Sequence, residues 1–474
     1  MPGDPHIDMV SEEPSLRGRV RAKTSKAVEA PSSVDDRYVS TDVVGLRKAK
    51  VEYDPRYWVI HGKSYDFTKF LDRHPGGAYI LQLGKGRDCT ELFESVHAFA
   101  EDGMESQKLV MAKYEVADVP LKPDMFAWKE DGFYNTLKTR VRDRFKGRNY
   151  KATWAVVAKL VIMAVLYVYC WAQAAWTGNW WWAVGSGILT EMIGFCFMHD
   201  SSHNAVSKRP AVNYAGCMWS SWMFWNAWLW LQHHVYGHHS YTGIYAKDPD
   251  VHNVELFVRK HPSMKMTKMY KYQAWYSWLL YLVLPNQHVG QILLYQLFPV
   301  MKNKIFGACP MIRGPDYMER DSRIVMAISF VWHILFPLYY QSWTTVLVLL
   351  FFNYTLMGIS YFLNVAPNHD TKSTLDNHPK TNEAIDWGEH QVRTTGNHSV
   401  KGDLIGTIVT SLWGGMNYQV EHHLFPSLNH AHYHEVSKIV QDTCKEFGIP
   451  YNAEATWIGS LKSFNELVST MAGG

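Results

Sequence analysis

The chain has no disulfide framework. Its six cysteines, Cys89, Cys170, Cys196, Cys217, Cys309 and Cys444, are scattered and form no Cys-x-x-Cys pair, which points to a reducing, cytosol-facing location. Charge bias is absent too: 47 basic against 44 acidic groups leave a net charge of +3, no case for nucleic acid as a partner. Residues 1–40 are polar, carry Pro and Ser, and lack a continuous apolar run, so they read as a disordered leader and not as a signal peptide. Mean hydropathy is slightly negative, yet 47% of the 474 residues are hydrophobic, with 20 Trp and 27 Tyr. Long polar ends dilute an apolar centre. That balance leans toward a membrane protein with aromatic belts, and the length allows about two to four domains.

Beside the apolar segments stand three histidine clusters: His199 and His203, then His233, His234, His238 and His239, then His422 and His423 after Gln419. Imidazole near a membrane is costly without a partner, and three such clusters together point to a shared metal site. Helical spacing places His199 and His203 on one face, able to reach one metal. The same spacing pairs His234 with His238, while His239 points in a neighbouring direction where a second metal could sit. No cysteine lies inside any cluster, which argues against a structural thiolate zinc site. Imidazoles with adjacent acids suit iron, copper or zinc, and affinity alone does not separate these.

Residues 57–114 have the pattern of a small soluble module, with a short strand at Trp58-Val59-Ile60 and a turn after it. Within it lies Asp72-Arg73-His74-Pro75-Gly76-Gly77, followed by a second histidine, His97. Pro75 and the two glycines force a tight turn that lets the backbone approach a flat cofactor. Over about residues 40–118 the chain resembles the cytochrome b5 family. The resemblance implies that His74 and His97 are the two axial ligands of a haem b. Two imidazoles leave no axial position for oxygen, so such a haem transfers electrons and does not activate O2.

Seven basic residues, Lys138, Arg140, Arg142, Arg144, Lys146, Arg148 and Lys151, precede the first long apolar run. By the positive-inside rule they mark a cytosolic anchor; otherwise they form a solvated helix face. Residues 154–176 and 180–198 form a hairpin of two crossings around Thr177-Gly178-Asn179, and 324–340 with 344–366 form a second one near Gln341-Ser342. The stretch 211–231 is apolar but carries Asn213, Ser220, Ser221 and Asn226. A crossing there would separate the first two clusters, so it is read as interfacial. Residues 275–300, broken by Pro285, Asn286, Gln287 and His288, are read as in-plane helices. Parity then places all three clusters and the haem module on one face.

This constellation resembles the membrane-bound fatty acyl desaturases, specifically the front-end type with a fused N-terminal cytochrome b5. The matching boxes are His199/His203, His234/His238/His239 and Gln419/His422/His423, with His422-His423-Leu424-Phe425-Pro426 and Asp248-Pro249-Asp250 beside them. The resemblance covers about residues 40–460. It implies that these residues are catalytic and hold two non-haem irons, with His369 as a further ligand. His390, His398 and Asn364 are rivals for that last place, His233 is a rival of His234, and His430, His432 and His434 are left as surface residues.

The expected fold is therefore mainly α. A polytopic membrane helical domain, with about four transmembrane helices plus interfacial helices, follows an N-terminal α+β cytochrome b5-like domain. The expected boundaries are a leader at 1–40, the haem domain at 41–118, a basic linker at 119–153, the membrane domain at 154–460 and a tail at 461–474. Removing hydrogen from an unactivated methylene is beyond an amino-acid base, whereas a metal-oxygen oxidant can do it. The resemblance implies O2 as co-substrate, with electrons from NADH through cytochrome b5 reductase. A polyunsaturated acyl chain, linked to phospholipid or CoA, is the implied substrate at the endoplasmic reticulum membrane. Δ5 is the expected position of the new cis bond, with Δ4, Δ6, Δ8 and sphingoid-base Δ8 activities as alternatives. From a different class, a haem-containing membrane receptor with a structural zinc is the competing reading.

Overall fold

A computed structural model describes residues 53–100, 104–119, 125–253, 255, 257–283, 304–305, 308–379, 384–401 and 403–473. The leader expected at 1–40, and the part of 275–300 beyond residue 283, lie outside these described residues.

The N-terminal domain is built on β1 (Trp58–Ile60), β2 (Lys63–Tyr65) and β3 (Glu115–Asp118), in the order β1-β2-β3 with both pairs antiparallel. Trp58 anchors its core, stacked edge-on to Phe67 and donating its indole N–H to the Leu81 carbonyl at 2.6 Å. A short 3-10 helix, Phe67–Arg73, is started by the Asp66 carboxylate and delivers His74. The glycines behind it are there for space and conformation. A Cβ on Gly76 would meet the His74 ring at 2.9 Å, and Gly77 has φ +97, where a side chain is strained. Helices α1 (Ala78–Leu83) and α2 (Thr90–Val96), the latter ending on His97, and a further short helix, Glu105–Met111, lie between β2 and β3.

Helix α3 (Phe133–Phe145) joins the two domains, burying Phe133, Leu137, Val141 and Phe145 along one stripe. The basic run that starts on it is exposed at Arg144, Lys146 and Arg148, as a solvated face would be, and several of its members also pair with acids of other elements. Lys138 is buried and pairs with Glu94 of α2 at 2.5 Å, while Arg140 meets Glu446 at 2.7 Å and Arg144 and Arg148 both reach Glu435. Burial opposes charge on Glu94, but His61 and Lys138 more than offset it and draw its carboxyl down to about 2. A depressed acid stabilises the fold above its unfolded pKa, near 4.5, and loses that contribution as pH falls toward 2. Glu94→Gln should accordingly lower stability at pH 7 by about 3 kcal/mol. Thermal unfolding across pH should show the gap to wild type closing between about pH 4.5 and 2; a gap that persists unchanged at low pH would contradict the pairing.

Among the described residues, four helices are long and apolar enough to span a membrane. These are α4 (Trp154–Thr177), α5 (Trp180–Ser202), α6 (Asp316–Tyr340) and α7 (Trp343–His369). Val161, Ile162 and Val165 of α4, Ile328 and Val331 of α6, and Leu347 and Phe351 of α7 are exposed, forming an apolar band that suits lipid. Inside the bundle α5 and α7 touch closely: a Cβ on Gly187 would stand 2.2 Å from the Asn353 carbonyl oxygen. The two hairpin turns meet at one end, where the Gln341 amide donates to the carbonyls of Ala175 and Trp176 at 3.1 and 2.9 Å. Every histidine cluster lies at the other end.

Between α5 and α6 only short helical pieces occur among the described residues, including Pro210–Cys217, Trp219–Trp222 and Ala227–Trp230. None is long enough to cross. Both flanks of this stretch touch the N-terminal domain, Asn204 accepting from the Tyr79 hydroxyl at 3.2 Å and Tyr241 donating to Glu91 at 3.4 Å. The boundary expected at 460/461 falls inside a helix, α9 (Trp457–Ala472), preceded by α8 (Tyr433–Phe447). Phe464, Leu467 and Val468 of α9 pack on Val258, Phe362 and Ala366. These residues belong to the membrane domain's core and form no free tail.

Candidate metal centre and haem pocket

Two helices carry a wider turn where they reach the histidines. Helix α5 turns π-helical over Gly194–His199, and a second π-helix, Leu231–His238, carries the middle cluster. A π-turn closes at i+5. His234 therefore stands over His239, their Nε2 atoms 3.2 Å apart, and His238 turns to the other side. His234 thus pairs with His239 in one group while staying within ligand reach of His238, and His238 also faces a second site.

Among the described residues two all-histidine groups of ligand atoms result, each with its members within 4.8 Å of one another. The first comprises His199, His203, His234, His239 and His422; the second comprises His238, His369 and His423. His422 Nε2 lies 3.1 Å from His239 Nε2, a separation natural to two nitrogens sharing one ion at about 2.1 Å. The rings of His239 and His423 stack at 4.1 Å and bring the two groups side by side. Gln419 places its side-chain amide 3.0 Å from His369 Nε2. His234 and His238 also meet with Asp250.

The groups behind the rings fix their orientation. His238 Nδ1 faces the Asp248 carboxylate at 3.1 Å, His422 Nδ1 the Tyr433 hydroxyl at 2.9 Å, and His423 Nδ1 the Gln391 Oε1 at 3.0 Å. Each contact leaves the other ring nitrogen for a metal. Burial, reinforced by neighbouring imidazoles, pushes His203, His234, His239, His422 and His423 well below the ordinary histidine range, so they are neutral with free lone pairs at pH 7. Burial also opposes charge on His238, but Asp248 and Asp250 hold it at about 9. A metal bound there would displace a proton. Both ring nitrogens of His203, His423 Nε2 and His369 Nδ1 are buried without a hydrogen-bond partner. Orphaned imidazole nitrogens converging on two points fit metal ions and little else.

The rivals fall elsewhere. His233 binds Asp250 at 2.5 Å, His390 binds the Thr242 carbonyl at 2.8 Å, and Asn364 donates back to the Ser360 carbonyl of its own helix. His398 is buried but joins neither group. His430 is not a surface residue: it is buried, paired with Asp200 at 2.6 Å and touched by Lys159 Nζ at 2.9 Å. His432 is half-buried on the Lys151 carbonyl, and only His434 is exposed. Sequence reasoning missed Tyr433, Gln391 and Asp248 as supports. Asp248 had a signal in the Asp-Pro-Asp motif; the other two had none.

Beneath the histidines runs a cavity of about 140 Å³ between α5 and α7. Met357, Gly358, Tyr361, Phe362 and Val365 line one wall at helical spacing and lead up to His369. Phe195 and Met198 line the other and lead to His199. An apolar slot that ends on two metal-type groups can hold an alkyl chain with one segment against them.

In the N-terminal domain His74 and His97 face each other with ring centroids 6.3 Å apart. Their Nδ1 atoms lie on the carbonyls of Gly77 at 3.3 Å and Phe93 at 2.8 Å, which leaves both Nε2 atoms for the space between. Burial, with His97 beside it, draws His74 down to about 4, and burial lowers His97 too. Neutral imidazoles flank a cavity of about 530 Å³ lined by Phe70, Ile80 and Phe93, apolar walls that fit a haem. The same cavity is walled by Tyr150, Lys151, Asn204 and His203, so a member of the first metal group borders the haem pocket directly. Arg87 fastens the domains together, donating to Gln232 Oε1 at 2.6 Å and lying over the Tyr236 ring at 4.3 Å.

Comparison with known proteins agrees with this geometry. Residues 179–455 match the fatty acid desaturase family, and residues 46–120 match the cytochrome b5-like haem/steroid binding domain. The chain is 32% identical over 413 residues to the chloroplastic acyl-lipid (7-3)-desaturase of Chlamydomonas reinhardtii, covering 82% of this chain and 76% of that one. It is 30% identical over 433 residues to the acyl-lipid (8-3)-desaturase of Mortierella alpina, covering 86% and 92%. With a probable Delta(5) fatty acid desaturase C of Dictyostelium discoideum it shares 29% over 434 residues, covering 87% and 91%. These relationships set aside the zinc-bearing receptor. The chain belongs to the membrane fatty acid desaturases, as a front-end type with a fused cytochrome b5-like domain.

Proposed function

We propose that this desaturase inserts a cis double bond at the Δ5 position of a polyunsaturated acyl chain, between an existing double bond and the carboxyl end. The observation that carries the reading is the apolar cavity closed by two groups of imidazoles. Relatives with Delta(5) in their names support the position; Δ4, Δ6 and Δ8 are the outcomes that would replace it.

His199, His203, His234, His239 and His422 would hold one iron, and His238, His369 and His423 the other, with Gln419 beside His369. Two such irons supply, when bound, the oxidising power that unactivated C–H bonds require. The reaction consumes O2, two electrons and two protons, and converts a CH2–CH2 pair to CH=CH with release of two waters. What the chain itself does is place the alkyl segment: α5 and α7 hold it under the histidines, and their apolar walls exclude water. His74 and His97 would hold haem b, which supplies single electrons next to the metal centre, fed by NADH through cytochrome b5 reductase. Free cysteines and clustering of the sites at one membrane face support a cytosolic orientation in the endoplasmic reticulum.

Gln419 tests the second metal group. Because its amide lies 3.0 Å from His369 Nε2, Gln419→Ala should lower conversion about 10–100-fold by loosening that ligand. Gln419→His, which restores a ring nitrogen, should retain more. Equal activity of Gln419→Ala and wild type would remove Gln419 from the site. The proposal as a whole is tested in yeast lacking polyunsaturates: candidate acids are fed and the new double bond is located by mass spectrometry. A bond at Δ5 is the expected product. A bond at another front-end position would replace Δ5, and a bond on the methyl side of existing unsaturation would contradict the front-end reading.

A further inference from the structure

The cavity under the histidines contains an ionisable group that the reaction leaves without a task and that, unlike Lys260 and Asp370, which pair at 2.8 Å, meets no counter-ion among the described residues. Glu191 lies on α5 within the spanning stretch, about two turns and roughly 12 Å along the helix from His199 toward the hairpin end. It is 6% exposed and lines the cavity together with Gly194 and Met223. Its Oε1 lies over Gly194, 3.9 Å from where a Cβ would stand, and the Met223 thioether borders the same spot at 3.8 Å. Among the described residues no hydrogen bond or charged neighbour reaches its carboxyl. The wall opposite is Met357, Gly358, Tyr361 and Phe362. An ionisable side chain at such a place is costly, so its presence calls for a partner.

On the reading of this cavity as the acyl tunnel, the partner has to come from the substrate. In its acid form Glu191 offers one O–H donor. A hydrocarbon chain presents only one kind of acceptor, the π face of a double bond. An extended chain advances about 1.2 Å per bond, which puts Glu191 about ten carbons beyond the bond being formed. Methylene-interrupted cis bonds recur every three carbons, so a polyunsaturated chain brings one within reach, and a chain saturated there brings none. We propose that Glu191 is a specificity-determining residue that senses unsaturation in the distal half of the acyl chain, by donating its O–H to a cis double bond. A bare carboxyl facing saturated carbons would also reject the wrong chain, since specificity is a difference between two bound states.

The test is a competition in yeast membranes containing the full-length protein. Two fatty acids of equal length share the double bond nearest the reaction; one has further cis bonds toward the methyl end, and the other is saturated there. Their conversion ratio does not depend on how much enzyme folds. Wild type should favour the polyunsaturated acid, and Glu191→Leu should lower the ratio about two- to fivefold, the range of a weak π-directed hydrogen bond. Glu191→Gln, which keeps an N–H donor, should retain most of the preference. A wild-type ratio in Glu191→Leu or Glu191→Ala would overturn the proposal, as would loss of all conversion in both, which would assign Glu191 to structure. Gly358→Phe separates this from the tunnel reading itself. It should block conversion of both acids, and normal conversion of both would show that the chain lies elsewhere.

Discussion

His422→Ala is expected to abolish conversion, by at least about a hundredfold, and to lower the non-haem iron content of the purified protein. His422 Nε2 lies 3.1 Å from His239 Nε2 in a group of five converging imidazoles, and its other nitrogen is fixed by the Tyr433 hydroxyl at 2.9 Å. Deleting the ring removes a donor and also leaves space for water at a buried site. Tyr433→Phe should be milder, because the ligand stays while its orientation loosens, a change that typically costs about 10–100-fold in metal affinity or activity. Metal analysis beside product quantification checks both. Normal iron in His422→Ala would remove it from the first group.

The second large effect is expected in the N-terminal domain. His74→Ala or His97→Ala should eliminate b-type haem absorbance and stop conversion, since the two rings face each other across one pocket and each would be the sole ligand on its side. The non-haem metals should remain, because only His203 of the metal groups borders that pocket. Haem retained in both single variants would refute the bis-histidine arrangement, and loss of all metal would show that the two sites fold as one unit.

Much of this was legible in the residues, where chemistry is tied to local spacing. The tight turn at Gly76 and Gly77, the apolar lengths of the four spans and the polar interruptions in 211–231 each dictate local structure without tertiary information. His369 entered through resemblance, and the fold brings it to the second group. The pairing of His234 with His239 was not legible, because a π-turn replaces the α-turn that spacing assumes, and apolar periodicity does not register one inserted residue. His430 and Lys138 misled for another reason: their partners, Asp200 and Glu94, are distant in sequence. A charged residue reads as solvated until its counter-ion is found. Helix α9 was hidden likewise, its apolar stripe finding Val258 and Phe362 only in three dimensions.

The central claim is that two imidazole groups hold two irons beside a haem, and metal analysis of the purified full-length protein tests it most directly. Iron is counted by mass spectrometry and haem by its absorbance in the same sample. The account predicts three irons per chain, one in haem and two outside it; a single zinc with no non-haem iron would contradict it.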